Sequence, residues 1–211
     1  MTGFPVAVID YGAGNVRSVA RALEAVGASP RLTRDHREVA RAGALVLPGQ
    51  GACDVAMREL MDRGLVDAIR EAIAAGRPFF GVCLGLQLLF DWTDEGEAEC
   101  LGVVPGTVRR LPPGLKVPHM GWNTVDIRTQ HPVFDGVPSG SYFYFVHGYY
   151  PAPASEDAVA ATTSYGIDFC CAVARGQMVA TQFHPEKSGP AGLQLYKNFI
   201  RMASQQASSA N

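Results

Sequence analysis

The chain has 211 residues, 47% of them hydrophobic, with 18 basic and 20 acidic side chains scattered along it and a formal net charge of −2. A chain of this length buries roughly 70% of the surface that its unfolded form exposes, so it folds without disulfide or metal staples. The charge balance excludes a strongly basic nucleic-acid or membrane-surface binder, and five irregularly spaced cysteines, two of them adjacent at Cys170 and Cys171, exclude a disulfide framework.

Val6 to Ile9 reads as a buried strand running into the turn glycines Gly12 and Gly14. From Asn15 to Val26 the apolar residues Val16, Val19, Ala20, Leu23 and Val26 recur at helical spacing, and Gly27 stops the helix. A short strand is expected over Ser29 to Thr33, a charged helix around His36, and a third strand over Ala44 to Leu47 that enters Pro48-Gly49-Gln50-Gly51. Helices follow over Ala52–Met61 and Val66–Ala75, then a fourth strand over Pro78–Val82 and a helix over Leu84–Phe90. Strands that alternate with helices predict a parallel sheet covered on both faces.

The second half reads as strands separated by Gly and Pro turns: Val103–Leu111, Thr124–Ile127, Tyr142–Tyr150, Val159–Thr163, Phe169–Ala174 and Met178–Phe183. An amphipathic helix over Gly189–Ala203 closes the chain, and the small polar residues 205–211 are expected to fray. The expected fold is α/β: one domain over residues 1–204, with a central mixed, mostly parallel sheet flanked by helices. Asp10 interrupts the only apolar run near the amino terminus, so a cytosolic protein without signal peptide or membrane span is expected.

Gly81-Val82-Cys83-Leu84-Gly85 places a cysteine between two glycines where an apolar strand meets a helix, the sequence form of a nucleophile elbow with Cys in place of Ser. The turn strains the nucleophile, the glycines admit neighbouring backbone, and the helix that begins at Leu84 directs free N–H groups at the sulfur. A buried structural cysteine is the commoner fate of this residue type. The order strand, glycine, cysteine, glycine, helix favours the nucleophile. Cys53, Cys100, Cys170 and Cys171 have no such setting and read as packing residues.

A thiol nucleophile needs a base, and the base needs an orienting partner. His184 ends the last strand and begins His184-Pro185-Glu186. In an extended tripeptide residues i and i+2 share a side, so Glu186 is placed to hold one ring nitrogen while the other faces Cys83. By itself the tripeptide reads as a surface turn; with the elbow upstream it completes a triad. His36 and His131 read as solvated, and His119 and His147 have no adjacent carboxylate. No metal-binding histidine spacing occurs, and no cofactor or metal is expected. Gly12-Ala13-Gly14-Asn15 lacks the third glycine of a dinucleotide fingerprint and the Lys-Ser/Thr of a P-loop.

Gly81-Val82-Cys83-Leu84-Gly85-Leu86-Gln87 together with His184-Pro185-Glu186 resembles the class I (triad) glutamine amidotransferases, whose fold is flavodoxin-like. Asp10-Tyr11-Gly12-Ala13-Gly14-Asn15, Pro118-His119-Met120-Gly121-Trp122-Asn123, Tyr144-Phe145-Val146-His147 and Gln182 to Ser188 extend the resemblance over nearly the whole chain. These runs resemble one branch, the glutaminase subunits of imidazole glycerol phosphate synthase in histidine biosynthesis. The resemblance implies that Cys83 attacks the glutamine side-chain amide, that His184 shuttles the proton and that Glu186 orients His184. It implies an oxyanion site from the backbone of Gly49, Gln50 and Gly51 with the N–H of Leu84, and glutamine contacts at Gln87, Glu95, Gly148 and Tyr149. It also implies a partner cyclase subunit with a (β/α)₈ barrel, a heterodimer through which ammonia is channelled, with the Gly12–Asn15 loop near the contact. Propensity alone makes Met120 and Trp122 core residues, but their turn-rich setting suits them to the contact surface with the cyclase.

Two departures stand out. Gln50 replaces a Val and Gly148 replaces a Ser of the common family pattern, changes that leave backbone roles intact. Two other readings compete: an amidotransferase serving a different synthase, against which the Pro-His-Met-Gly-Trp-Asn run argues, and a non-catalytic redox sensor, against which the intact Cys-His-Glu set argues.

Overall fold

The computed structural model describes residues 3–209. In chain order the first half runs β1 (Phe4–Ile9), α1 (Val16–Ala25), β2 (Ala28–Thr33), α2 (His36–Arg41), β3 (Leu45–Gly49), α3 (Cys53–Asp62), α4 (Leu65–Ala74), β4 (Phe79–Cys83) and α5 (Leu84–Gln87). Local chemistry sets several of these boundaries. The Asp35 carboxylate accepts the Arg37 N–H at 2.8 Å and starts α2. Gly64, at φ +64°, makes the left-handed step between α3 and α4. Every residue of β3 and β4 is buried, as strands covered on both faces require.

The second half runs β5 (Trp92–Thr93), β6 (Ala98–Glu99), β7 (Gly106–Arg110), β8 (His119–Ile127), β9 (Ser141–His147), β10 (Tyr149–Pro153), β11 (Ala161–Ser164), β12 (Asp168–Arg175), β13 (Met178–Thr181) and α6 (Gly189–Ser209). Nine strands form the main sheet in the order β2-β1-β3-β4-β13-β12-β11-β8-β9. Pairing is parallel from β2 to β13 and antiparallel from β13 to β9. Helices α1 and α6 cover one face, where Phe80 packs on Tyr196 and Phe199 with ring centroids 5.2 and 5.4 Å apart. The other face is covered by α2, α3, α4 and α5, whose buried Val39, Met57, Leu60, Ile69 and Leu86 share one apolar cluster.

A second, four-stranded sheet of order β10-β7-β5-β6 stands beside the first. The sequence reading expected one sheet and one strand over Tyr142–Tyr150; the chain instead leaves the main sheet at Gly148 and enters the smaller one. Aromatic and apolar residues continue on both sides of Gly148, so the change of sheet leaves no trace in the pattern. Strands β5 and β6, two residues each, are too short to register as periodicity. The helix expected over Leu84–Phe90 is a single turn that continues through tight bends, with Leu89 N–H bonded to Leu86 O and Phe90 N–H to Gln87 O.

Helix α6 runs to Ser209, beyond the start of the expected frayed tail; residues 210–211 lie outside the described part. Gln206 donates to Gly76 O at 3.0 Å, and Ser208 and Ser209 donate back to carbonyls four residues earlier. These bonds give a polar segment the partners that its composition did not advertise.

Candidate active site

Strand β4 delivers Cys83 to the end of the parallel half, and the backbone turns there at φ 54°, ψ −104°. That is a strained conformation for a residue with a Cβ, held because the surroundings over-determine it. The flanking glycines are required by close approach. A Cβ on Gly85 would lie 2.0 Å from Leu47 O, and one on Gly81 would lie 2.7 Å from Gly85 O. Gly49 at the end of β3 is in register with Cys83, which brings Gly49-Gln50-Gly51 alongside Cys83 and Leu84.

The candidate base, His184, arrives on the neighbouring strand. β13 pairs with β4, and His184 follows it in extended geometry. Residues Pro185–Lys187 then form a 3₁₀ turn, not the extended tripeptide expected from the sequence. The turn still brings Glu186 Oε1 to 2.8 Å from His184 Nδ1. A proline at the first position suits such a turn because it has no N–H to satisfy. Helix α6 closes behind it at Gly192, where a Cβ would lie 1.9 Å from Pro185 O. The Ser188 hydroxyl donates to His184 O at 2.6 Å and accepts Tyr144 N–H at 3.0 Å, fastening the turn to β9.

Burial lowers the His184 pKa, but the nearby Cys83 and the bonded Glu186 outweigh it and raise the imidazole to about 10. The ring is therefore stable as an imidazolium, held at Nδ1 by Glu186. His184 Nε2 and Glu186 Oε2 are buried and have no hydrogen-bond partner among the described residues. Burial, and then the Glu186 carboxylate, hold the Tyr196 phenol well above its usual range.

Cys83 opens onto a cavity of about 340 Å³ lined by Gln50, Gly51, Cys83, Leu84, Gln87, Glu95, Val146, His147, Gly148 and Tyr149. The structure thus brings together Cys83 with every expected binding or oxyanion residue except Gly49, which is buried directly behind the lining. The side chains of His184 and Glu186 are buried and do not line the cavity. The polar linings differ in availability. Gln87 is already engaged: its Nε2 donates to Tyr149 O and to Gln182 Oε1, both at 3.0 Å, and its Oε1 accepts from Cys53 Sγ at 3.4 Å. Glu95 Oε2 accepts Cys53 N–H at 3.0 Å and so caps α3, whose own N-cap residue, Ala52, has no side chain to do it. Burial raises the Glu95 pKa, and the bond from Cys53 N–H partly offsets the rise.

Sequence reasoning passed over Gln182 as an individual residue. Its Nε2 lies 3.5 Å from Cys83 Sγ as a donor, while its Oε1 accepts from Gln87. It was visible only as a member of the Gln182–Ser188 run, because a buried glutamine in a strand carries no chemical signature of its own. His147, read as lacking a carboxylate partner, lines the cavity and bonds His119. Cys53, read as packing, sits behind the cavity wall. Met120, Trp122 and Tyr142 are 62, 56 and 62% exposed on one outer face of the β8–β9 ribbon. Among the described residues no group of three His, Cys, Asp or Glu side chains is placed to hold a metal ion.

Comparison with known proteins gives the family and the fold. The family model for Glutamine amidotransferase class-I matches residues 7–203. The imidazole glycerol phosphate synthase subunit HisH of Dehalococcoides mccartyi is 50% identical over 199 residues, spanning 94% of this chain and 97% of that protein. The protein of the same name from Moorella thermoacetica is 48% identical over 196 residues, spanning 92% and 93%. A solved glutamine amidotransferase structure superposes with a TM-score of 0.75 at 22% identity, covering 94% of this chain and 98% of that one, a likeness of fold.

Proposed function

This chain belongs to the class I glutamine amidotransferase family, and we propose that it is the glutaminase subunit of an imidazole glycerol phosphate synthase. The observation that carries the reading is a strained cysteine between two obligatory glycines, facing a cavity and backed by a buried His184–Glu186 pair.

In this reading the glutamine side chain enters the cavity and Cys83 sulfur attacks its carboxamide carbon. The oxyanion of the tetrahedral species is met by Leu84 N–H and by backbone of the Gly49-Gln50-Gly51 segment. His184, protonated and held by Glu186, gives its proton to the departing nitrogen; the C–N bond breaks, and ammonia and a glutamyl thioester remain. Water then attacks the thioester with His184 as base, releasing glutamate and restoring the thiol. The backbone of Gly148 and Tyr149 holds the substrate's α-carboxylate, and Glu95 its amino group. Gln87 acts on the wall rather than on the substrate, because its amide is already bonded within the protein.

The relatives are named as subunits, and the exposed Met120, Trp122 and Tyr142 make an apolar patch suited to a partner. We assign that patch, together with the Gly12–Asn15 loop, to a cyclase subunit with a (β/α)₈ barrel that receives the ammonia. The reading places the enzyme in the cytoplasm; no helix among the described residues is long and apolar enough to cross a membrane. The test is glutamate release from glutamine with and without a purified cyclase and its nucleotide ligand. Strong stimulation is expected, together with loss of about 10⁴-fold or more in Cys83→Ala. Full activity without the cyclase would remove the coupling from the proposal, and activity surviving in Cys83→Ala would remove the nucleophile.

A further inference from the structure

Two histidines outside the triad meet at the rear of the cavity. His119 on β8 and His147 on β9 are direct cross-strand partners, and both are buried. His119 Nδ1 lies 2.9 Å from His147 Nε2, and His147 Nδ1 lies 2.8 Å from Tyr149 O. At the far end His119 Nε2 lies 3.4 Å from Asn123 Nδ2. A carbonyl only accepts and an amide nitrogen only donates, so the two ends dictate every proton between them. Asn123 donates to His119 Nε2, His119 Nδ1–H donates to His147 Nε2, and His147 Nδ1–H donates to Tyr149 O. Both rings are neutral in this arrangement, one tautomer each. Burial supports that state, lowering His119 to about 4 and His147 to about 3.

The chain ends on the Tyr149 carbonyl, which also accepts Gln87 Nε2–H at 3.0 Å. Gln87 in turn bonds Gln182, the donor to Cys83 sulfur. The Gly148–Tyr149 backbone is therefore held from two sides: by His147 from β9 and by Gln87 from the turn that follows the nucleophile. It needs holding, because the chain passes there from one sheet to the other and ordinary ladder pairing with a single neighbour does not continue through it. His119 is fixed by stacking on Tyr165 and Phe145, with ring centroids 4.0 and 4.9 Å apart.

We infer that His147, fixed in its tautomer by His119, is a positioning residue: it sets the Gly148–Tyr149 backbone against which the α-carboxylate of glutamine binds, and so governs substrate affinity without taking part in proton transfer. This rests on the glutaminase reading above. Wild-type glutamine hydrolysis with the cyclase present, and alkylation of Cys83 by iodoacetamide, test that reading separately.

The experiment compares His147→Phe, His147→Asn and His119→Phe as complexes with the cyclase, measuring kcat, KM for glutamine and the rate of Cys83 alkylation by iodoacetamide. Asn offers an N–H near the position of Nδ1 and restores the bond to Tyr149 O; Phe offers none. His147→Phe is expected to raise KM about tenfold with kcat within about threefold, the effect of one net hydrogen bond. His147→Asn should return KM to within about threefold of wild type, and iodoacetamide should label all three at similar rates. His119→Phe keeps the aromatic stack and should raise KM about threefold through the loosened tautomer, which keeps the idea testable if His147→Phe does not fold. Equal impairment by Phe and Asn at position 147, or a fall in kcat with unchanged KM, would overturn the positioning role. So would wild-type KM in both His147→Phe and His119→Phe.

Discussion

The two walls of the cavity are built in different ways. The Cys83 wall is local: strand, glycine, cysteine, glycine and turn lie within a few residues of one another, and the glycines are there because neighbouring backbone lies too close for any Cβ. The facing wall is assembled from distant segments. Its backbone comes from Gly148 and Tyr149, its supports from His147, His119 and Gln87, and its rim from Glu95, which lies in the turn between β5 and β6 and caps α3. The first wall is steric and the second is a hydrogen-bond network. A steric wall tolerates no added volume, whereas a network fails group by group and with proton state.

That difference predicts unequal responses. Gly85→Ala pushes a methyl against a backbone carbonyl that cannot move without dragging β3 from β4. It should cost about 3 kcal/mol or more in denaturant unfolding, and more than about a hundredfold in glutaminase rate. Wild-type stability in this variant would show the elbow to be more plastic than its packing implies. On the facing wall, acid is the agent. His147 has a folded-state pKa lowered to about 3 by burial, so the unfolded chain binds more protons between pH 6.5 and 3. The stability due to its neutral state is present above about pH 6.5 and is lost on acidification, at up to about 1.4 kcal/mol per pH unit. His184 has the opposite sign: raised to about 10, it stabilises below about pH 6.5 and loses that contribution as pH rises through about 10. Unfolding free energies of wild type and His147→Asn from pH 4 to 7 should therefore differ in slope; parallel profiles would contradict the buried neutral histidine.

The smallest effect returns to the steric wall. The Tyr11 hydroxyl is buried without a partner, against the spot that a Cβ on Gly49 would occupy. Tyr11→Phe should raise stability by about 1 kcal/mol, or Tm by about 2–4 °C, because an unsatisfied hydroxyl is removed at nearly constant volume. A lower Tm would mean that the hydroxyl is satisfied in solution.

The same asymmetry governs how much was legible in advance. The parallel half follows from buried apolar runs and glycine stops, and its elements before α5 fall within a residue or two of expectation: Val66–Ala75 against Leu65–Ala74, and Ser29–Thr33 against Ala28–Thr33. The antiparallel half was readable as strands but not as two sheets. Period-2 alternation records that one face is buried and not which sheet buries it. His184 and Glu186 were found together, yet by way of an extended tripeptide where the chain forms a 3₁₀ turn. Two residues apart, both geometries allow the contact.

The sequence alone determined the elbow, the positions of the charged pair behind it and the family, because each is a short-range pattern in which residue type answers to local backbone or chemistry. Only the tertiary structure decided that Gln87 spends its amide inside the protein, that Gln182 reaches the sulfur, and that His119 and His147 share their protons along one line. These are contacts between residues 28 to 99 positions apart. Their partners are chosen by sheet order and strand register, which no window along the chain contains.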